Sequence, residues 1–187
     1  MAGTLTVQNI EGPSSGANAN KVIIPSGQTL DASGGTMLPS AGQVAQVVKS
    51  AKNTSASDSS TTTLAEISSD YRISLTPKFS DSFILLTFQA GFNVGDGTRM
   101  AIDFMVGTQS DYSSMSRIDT TSVDESLRNS GATLYFRRHS MCQYYDGYSS
   151  TSTLYFTMYF ARPFGSNACR VNDNSGAAFL TAMEIAQ

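Results

Sequence analysis

The chain has 187 residues and a formal net charge of −3, and charged residues make up 14% of it, against roughly 25% in an average soluble domain. An acidic balance, with a pI near 5.0, excludes the basic surface on which nucleic-acid binding depends. The first residues lack the basic and apolar regions of a secretory signal, and no apolar run approaches the ~20 residues of a membrane helix. The sequence therefore predicts a soluble protein with no nucleic-acid partner and no membrane insertion.

The first 42 residues predict an N-terminal β stem rather than a free-standing domain. Short strands are expected at residues 2–10, 21–24 and 29–31, with a turn at Ser26-Gly27. Strands this short cannot bury a hydrophobic core by themselves. Three copies around a common axis could do so, which favours an oligomerising segment. The alternative is a tail that becomes ordered only on a partner.

The rest of the chain, residues 43–187, predicts one all-β domain. Gly95-Asp96-Gly97 predicts a hairpin turn, and the polar residues 53–63 predict an exposed loop. Residues 44–49 predict either a strand or a short helix. With no other helix expected, the pattern favours a two-sheet antiparallel jelly-roll sandwich. The segments with strand character are residues 64–75, 83–89, 100–106, 133–138, 140–145, 153–161 and 177–185.

A resemblance to a known family extends over most of the chain. The stretch GTLTVQNIEGPSSGANANKVIIPSGQTLDASGG resembles the N-terminal stem of tail-fibre and related appendage proteins of bacteriophages, especially marine and cyanobacterial phages. The segments ISLTPKFSDSFILLTFQAGF and FLTAMEIAQ are similar to a strand pair and the last strand of that family, whose C-terminal domain resembles the trimeric jelly roll of C1q-like and tumour-necrosis-factor-like proteins. The resemblance implies a homotrimer, a stem that attaches to other virion proteins, and a strand at residues 44–49.

The run LYFTMYF at residues 154–160 predicts a strand with two different faces. Its four apolar members occupy alternate positions and would share the core face. The other face carries Tyr155, Thr157 and Tyr159, and tyrosines with an apolar body and a polar tip suit a protein interface. Tyr155 and Tyr159 are therefore candidates for a trimer contact. The alternative is two tyrosines exposed on an ordinary surface strand.

No residue pattern predicts catalysis, a cofactor or a metal site. His139 is the only histidine, and Cys142, three residues later, would fall on the opposite face of a strand. No phosphate loop, nucleophile elbow or calcium-loop spacing occurs. Asp103 interrupts an apolar run and is interpreted as an outward-facing residue rather than a buried functional carboxylate. Cys142 and Cys169 are expected as buried free thiols rather than a disulfide.

Two polar segments are candidates for receptor binding, because loops on a rigid scaffold carry binding function. They are residues 109–131 and the turn at 144–148, where tyrosine rings can stack on a sugar face. The candidate residues are Tyr112, Arg117, Asp119, Arg128, Tyr145 and Tyr148.

The predicted function is that of a non-enzymatic virion protein that is assembled in the host cytoplasm. It would form a homotrimeric tail fibre or appendage whose tip domain binds a glycan or protein of the host cell surface. Three identical tips would raise avidity without any one strong site. The alternative is a head-decoration or adaptor protein with a purely structural role.

Overall fold

The computed structural model describes residues 13–16, 22–23, 25–28, 39–51, 57–59, 61–119, 127–128, 135–167, 169–172 and 177–187. The chain divides into two compact units, residues 1–38 and 39–187. No helix in this described part is long and apolar enough to span a membrane.

The predicted turn of the first unit is confirmed. Gln28 N donates to Pro25 O at 3.1 Å, and Gly27 has a φ of 83°, a left-handed conformation that glycine adopts without strain. Val22 and Ile23 are exposed and not in a strand, which differs from the strand predicted at residues 21–24. The strands predicted at 2–10 and 29–31 lie outside the described residues.

The second unit is built from β-strands and one 3-10 turn at Ser69–Tyr71. Within its described residues the strands are β1 (Val44–Lys49), β2 (Ser57–Ser59), β3 (Ala65–Glu66), β4 (Ile73–Leu75), β5 (Phe83–Val94), β6 (Arg99–Gly107), β7 (Ser116–Arg117), β8 (Leu127–Arg128), β9 (Tyr135–Tyr145), β10 (Leu154–Phe164), β11 (Cys169–Val171) and β12 (Phe179–Ile185).

These strands form two antiparallel sheets. The first sheet has the order β1-β12-β5-β11-β2, and β9 pairs with the other edge of β5. The second sheet has the order β3-β10-β6-β7, with β4 also paired to β10 and β8 also paired to β6. Because the successive long strands β5, β6, β9, β10 and β12 alternate between the sheets, the domain is a jelly-roll-like sandwich. The all-β, two-sheet fold predicted from the sequence is confirmed.

The turn between β5 and β6 forms, but it does not close a hairpin. Thr98 N donates to Gly95 O at 3.2 Å, and Gly97 has a φ of 63°. However, β5 pairs with β9, β11 and β12, whereas β6 pairs with β10 in the other sheet. The predicted hairpin is therefore wrong. A tight turn only reverses the chain, and here it carries the chain from one sheet to the other.

The hydrophobic core lies between the sheets and follows the period-two alternation of the strands. Ile84, Leu86 and Phe88 of β5 are fully buried, as are Phe156 and Met158 of β10. Burying one such side chain contributes about 1.5–3 kcal/mol relative to leaving it exposed. The core face predicted for the LYFTMYF run is confirmed.

Other strand boundaries differ from the prediction because they depend on the strands with which each segment pairs. Residues 133–138 and 140–145 were expected as two strands, yet β9 runs without a break and stays in register with β5. The predicted loop at 53–63 contains β2, which pairs with β11, a strand that the sequence pattern missed. Both cysteines are free, but only Cys169 is buried; Cys142 is exposed on an edge strand, so its predicted burial is wrong.

A buried carboxylate ties the last strand to the segment before β5. Glu184 is fully buried and accepts hydrogen bonds from Lys78 N at 2.9 Å, Phe79 N at 3.0 Å, Ser82 Oγ at 2.7 Å and Gln46 Nε2 at 2.6 Å. Burial alone raises the pKa of a carboxyl group, but these donors hold the pKa of Glu184 below its ordinary value. Glu184 therefore serves as an ionised structural anchor.

Candidate functional site

A groove runs along one side of the sandwich, between an edge of the first sheet and an edge of the second. It consists of two adjoining cavities of about 380 and 450 Å³ that share Asp119, Gln143 and Tyr144. We call it the edge groove. Its walls are formed by residues 102–104, 117–119 and 141–147.

Strand pairing explains why the groove is open at this side. β6 pairs with β8 at Arg99 and Met100 and with β7 at Met105 and Val106, and the stretch between these pairings lines the groove. β9 pairs with β5 along its whole length, and no described strand pairs with its other edge. The jelly-roll layout thus leaves two sheet edges facing a common cavity.

A partly buried ion pair lies on the wall of the larger cavity. Arg117 Nη2 is 2.9 Å from Asp103 Oδ1, and the two side chains are 20% and 11% exposed. Asp103 stands opposite Tyr159 of β10, so it points away from the core as predicted, yet the residue is buried. Its Oδ2 has no hydrogen-bond partner among the described residues. An acceptor at the cavity wall is therefore unsatisfied, which is unfavourable for a buried carboxylate.

Three tyrosines stand at the end of β9, where the groove meets the following turn. The rings of Tyr145 and Tyr148 are stacked, with centroids 6.0 Å apart, and Tyr148 Oη shares a 2.7 Å hydrogen bond with Ser82 Oγ. Tyr145 Oη donates to Gly147 O at 2.9 Å. Burial raises the pKa of both tyrosines, so both stay neutral at physiological pH. Tyr144 is 64% exposed and lines both cavities.

A second group of tyrosines lies on the outer face of the second sheet, away from the core. The rings of Tyr112 and Tyr155 meet edge to face with centroids 5.4 Å apart, and the Arg72 guanidinium lies 4.6 Å from the Tyr112 ring centre. We call this group, together with Glu66 and Tyr159, the tyrosine cluster. Tyr112 has a φ of 61°, a conformation rare for a bulky residue, which the contacts with Arg72 and Tyr155 hold in place.

Charged groups fix the tyrosine cluster internally. Arg72 binds Glu66 through two hydrogen bonds of 2.7 and 2.8 Å, and Thr157 Oγ1 donates to the same carboxylate at 2.9 Å. Burial alone raises the pKa of Glu66, but the hydrogen bonds from Arg72 and Thr157 bring its pKa below the ordinary value. Thr157 is fully buried although it points away from the core. The chain therefore covers much of this face with its own side chains.

The outer face of the first sheet has a different character. Its outward-pointing residues on the central strands are mostly apolar, and Val44 and Val47 of β1 are 50% and 57% exposed. Among the residues of β1, β5 and β12 that point outwards, Lys49 is the charged one, and its ammonium group lies over the Phe179 ring at 3.7 Å. We call this surface the apolar face; it comprises Val44, Val47, Phe83, Leu85, Phe179, Met183 and Ile185.

The structure distributes the candidate residues over several places. Arg117, Asp119 and Tyr145 all line the edge groove, and Tyr148 stacks behind it. Tyr112 instead joins Tyr155 and Tyr159 in the tyrosine cluster. Arg128 pairs with Arg99 across β8 and β6, and its side chain lies outside the described residues.

The sequence reading missed several lining residues of the groove, among them Gln143 and Asp103. Gln143 lies within an unremarkable strand and gave no signal. Asp103 was a signal, because a carboxylate within an apolar run needs a polar partner. That partner, Arg117, lies 14 residues further along the chain, so the sequence alone did not identify it. Among the residues that the structure describes, no three His, Cys, Asp or Glu side chains gather where a metal ion could bind.

Comparisons with known proteins give matches to solved structures only. No family model and no curated protein matches the sequence. The chain is similar to a structure of the Gx strain of infectious bursal disease virus, with 11% identity, coverage of 87% of this chain and 36% of that chain, and a TM-score of 0.42. It is also similar to a structure of the Gt strain, with 10% identity, coverage of 88% of this chain and 43% of that chain, and a TM-score of 0.37. A third similar structure is the VP2 subviral particle of that virus, with 11% identity, coverage of 94% of this chain and 45% of that chain, and a TM-score of 0.34.

This chain spans less than half the length of the viral chains that it matches. With identities near one tenth and TM-scores below 0.5, the matches assign no function to it.

Proposed function

We propose that this chain is a structural protein of a virus particle, and that three copies form a tail-fibre or appendage tip that binds the surface of the host cell. The observation that carries the proposal is the edge groove, because Arg117, Asp119 and Tyr145, chosen as receptor candidates from the sequence, line this one groove. The resemblance of the N-terminal segment to phage appendage stems supports attachment of that segment to other virion proteins.

The apolar face is the proposed contact between copies. Exposed apolar patches on soluble domains commonly mark protein interfaces. A second copy of the chain suits this face because β1, β12 and β5 present no outward-pointing carboxylate and Lys49 already lies over Phe179. Three such faces can therefore meet around a common axis without burying an unpaired negative charge. Association would hide Val44 and Val47, which are half exposed in the single chain.

The tyrosine cluster remains the alternative trimer contact, as proposed from Tyr155 and Tyr159. Both residues are already engaged inside their own chain, Tyr155 with Tyr112 and Tyr159 beside Glu66 and Arg72. A side chain held by its own chain gains less from a new contact than one left exposed to water. The geometry therefore favours the apolar face.

Imaging and adsorption together test this function. Antibody labelling of intact particles should place the chain on a tail fibre or appendage, and an excess of purified full-length protein should block adsorption of the particles to host cells. Label confined to the head, with adsorption unchanged by the protein, would contradict host binding and support a decoration or adaptor role.

A further inference from the structure

The chemistry of the edge groove indicates what kind of ligand it accepts. Among the residues that the structure describes, Asp103, Asp119 and Asp146 line the groove together with one arginine, Arg117, which binds Asp103. This balance disfavours phosphates, sulfates and other anions, because like charges repel in a partly desolvated site. It favours a ligand with many hydrogen-bond donors and no negative charge, since ionised carboxylates only accept hydrogen bonds.

Exposed aromatic surface beside these carboxylates restricts the class of ligand further. Tyr144 is 64% exposed and lines both cavities, and a tyrosine ring offers a large apolar contact at low cost in side-chain entropy. Tyr145 is held by its stacking on Tyr148 and by its hydrogen bond to Gly147 O. Hydroxyl groups at the edge and C–H groups on the face of one molecule are characteristic of a sugar ring, which would satisfy both kinds of surface.

We propose that the edge groove binds a neutral oligosaccharide, whose hydroxyls donate to Asp119 and Asp146 and whose ring face lies against Tyr144. The two cavities, of about 380 and 450 Å³, each fall within the ~300–1,000 Å³ typical of small-ligand sites, so a short chain of sugars spans them. This inference rests on the proposed function and names its ligand class.

An array of immobilised neutral and acidic oligosaccharides, probed with labelled full-length protein, tests the inference. The protein should bind one or more neutral glycans, and Asp119→Asn and Tyr144→Ser should each weaken that binding by about tenfold or more, as expected for losing a hydrogen bond or a stacking contact. Tyr112→Ser, in the tyrosine cluster, is the matched control and should leave binding unchanged. Tyr144→Ser keeps the experiment decisive if Asp119→Asn does not fold, because Tyr144 is exposed. Binding to no glycan, binding to acidic glycans alone, or equal binding by wild type and Tyr144→Ser overturns the inference.

Periodate treatment of host cells separates this inference from the proposed function. Periodate cleaves sugars with neighbouring hydroxyls and should abolish binding of the labelled protein to the cells. Binding that survives periodate and Tyr144→Ser refutes the glycan ligand but retains host attachment, with a surface protein as the receptor. No binding to untreated host cells refutes the attachment function itself.

Discussion

Glu184 is a single residue that fixes the position of a whole strand in this fold. Its buried carboxylate receives hydrogen bonds from two backbone amides and two side chains, which belong to β1 and to the segment before β5. Hydrogen bonds to a charged group are worth about 1.5–3 kcal/mol each, and a buried donor that loses its partner costs about 1–3 kcal/mol. The strand pattern predicted β12, but a glutamate at a core position of that strand has no explanation within the local sequence.

Glu184→Gln should destabilise the domain by about 2–3 kcal/mol at neutral pH, because the amide group would face backbone N–H donors. The folded-state pKa of Glu184 lies below its ordinary value of 4.5. Its stabilising contribution is therefore complete above pH 4.5 and is lost as the pH falls through the folded-state pKa. Urea denaturation between pH 3 and pH 7 should show a flatter acid limb for the variant. Glu66→Gln, in the more exposed tyrosine cluster, should have the smaller effect at neutral pH.

Gly165 should tolerate no side chain. It has a φ of 88°, and a Cβ there would lie 2.7 Å from both Gly97 O and Thr98 Oγ1, so the β5–β6 turn would have to move. We expect Gly165→Ala to lower the free energy of unfolding by about 2–4 kcal/mol. Gly42→Ala is the control: it has a similar φ of 80° and open space around it, and should cost only about 1 kcal/mol. Equal thermal shifts for the two variants would contradict the packing argument.

At the scale of the element, the alternation of apolar and polar residues predicted the strands that pack on the core. It failed where pairing with a strand distant in the sequence determines whether a strand forms and where it ends. The two faces of β10 follow from alternation alone, whereas β1, predicted with its observed bounds, needed the family resemblance to decide between a strand and a short helix. The prediction divided β9 at His139, yet eleven consecutive residues pair with β5. β2 and β11 are three residues long and pair with each other, so neither shows a strand pattern in its own sequence. The edge groove was missed for the same reason, because it lies between two elements.

The Asp103–Arg117 pair joins β7 to β6, and its removal should loosen that element. Arg117→Ala leaves a buried carboxylate without its cation and should cost about 2–3 kcal/mol, somewhat less than a fully buried pair because both groups retain some exposure. Adding Asp103→Ala should recover much of this loss. Arg72→Ala breaks the more exposed pair with Glu66 and should cost about 1 kcal/mol. A double variant no more stable than Arg117→Ala would contradict the desolvation argument.

At the scale of the whole molecule, the sequence predicted a trimer, while the choice between its two candidate surfaces needed the structure. Val47→Asp would bury a charge in the proposed contact, and the cost of several kcal/mol should dissociate the assembly. Light scattering should give three times the chain mass of 19.9 kDa for the wild type and a single chain for the variant. Tyr159→Asp should remain trimeric. The reverse result would assign the contact to the tyrosine cluster, and a monomeric wild type would rule out both surfaces.

The position of β12 also constrains when the domain can fold during synthesis. β12 lies between β1 and β5 in the first sheet, although residues 179–185 leave the ribosome long after both neighbours. At ~5–20 residues per second, β1 and β5 wait several seconds for the strand that joins them. During that time their apolar side chains are exposed to other nascent chains. The first sheet therefore cannot be completed before β12 has been synthesised, and a chain arrested before residue 179 should remain sensitive to protease.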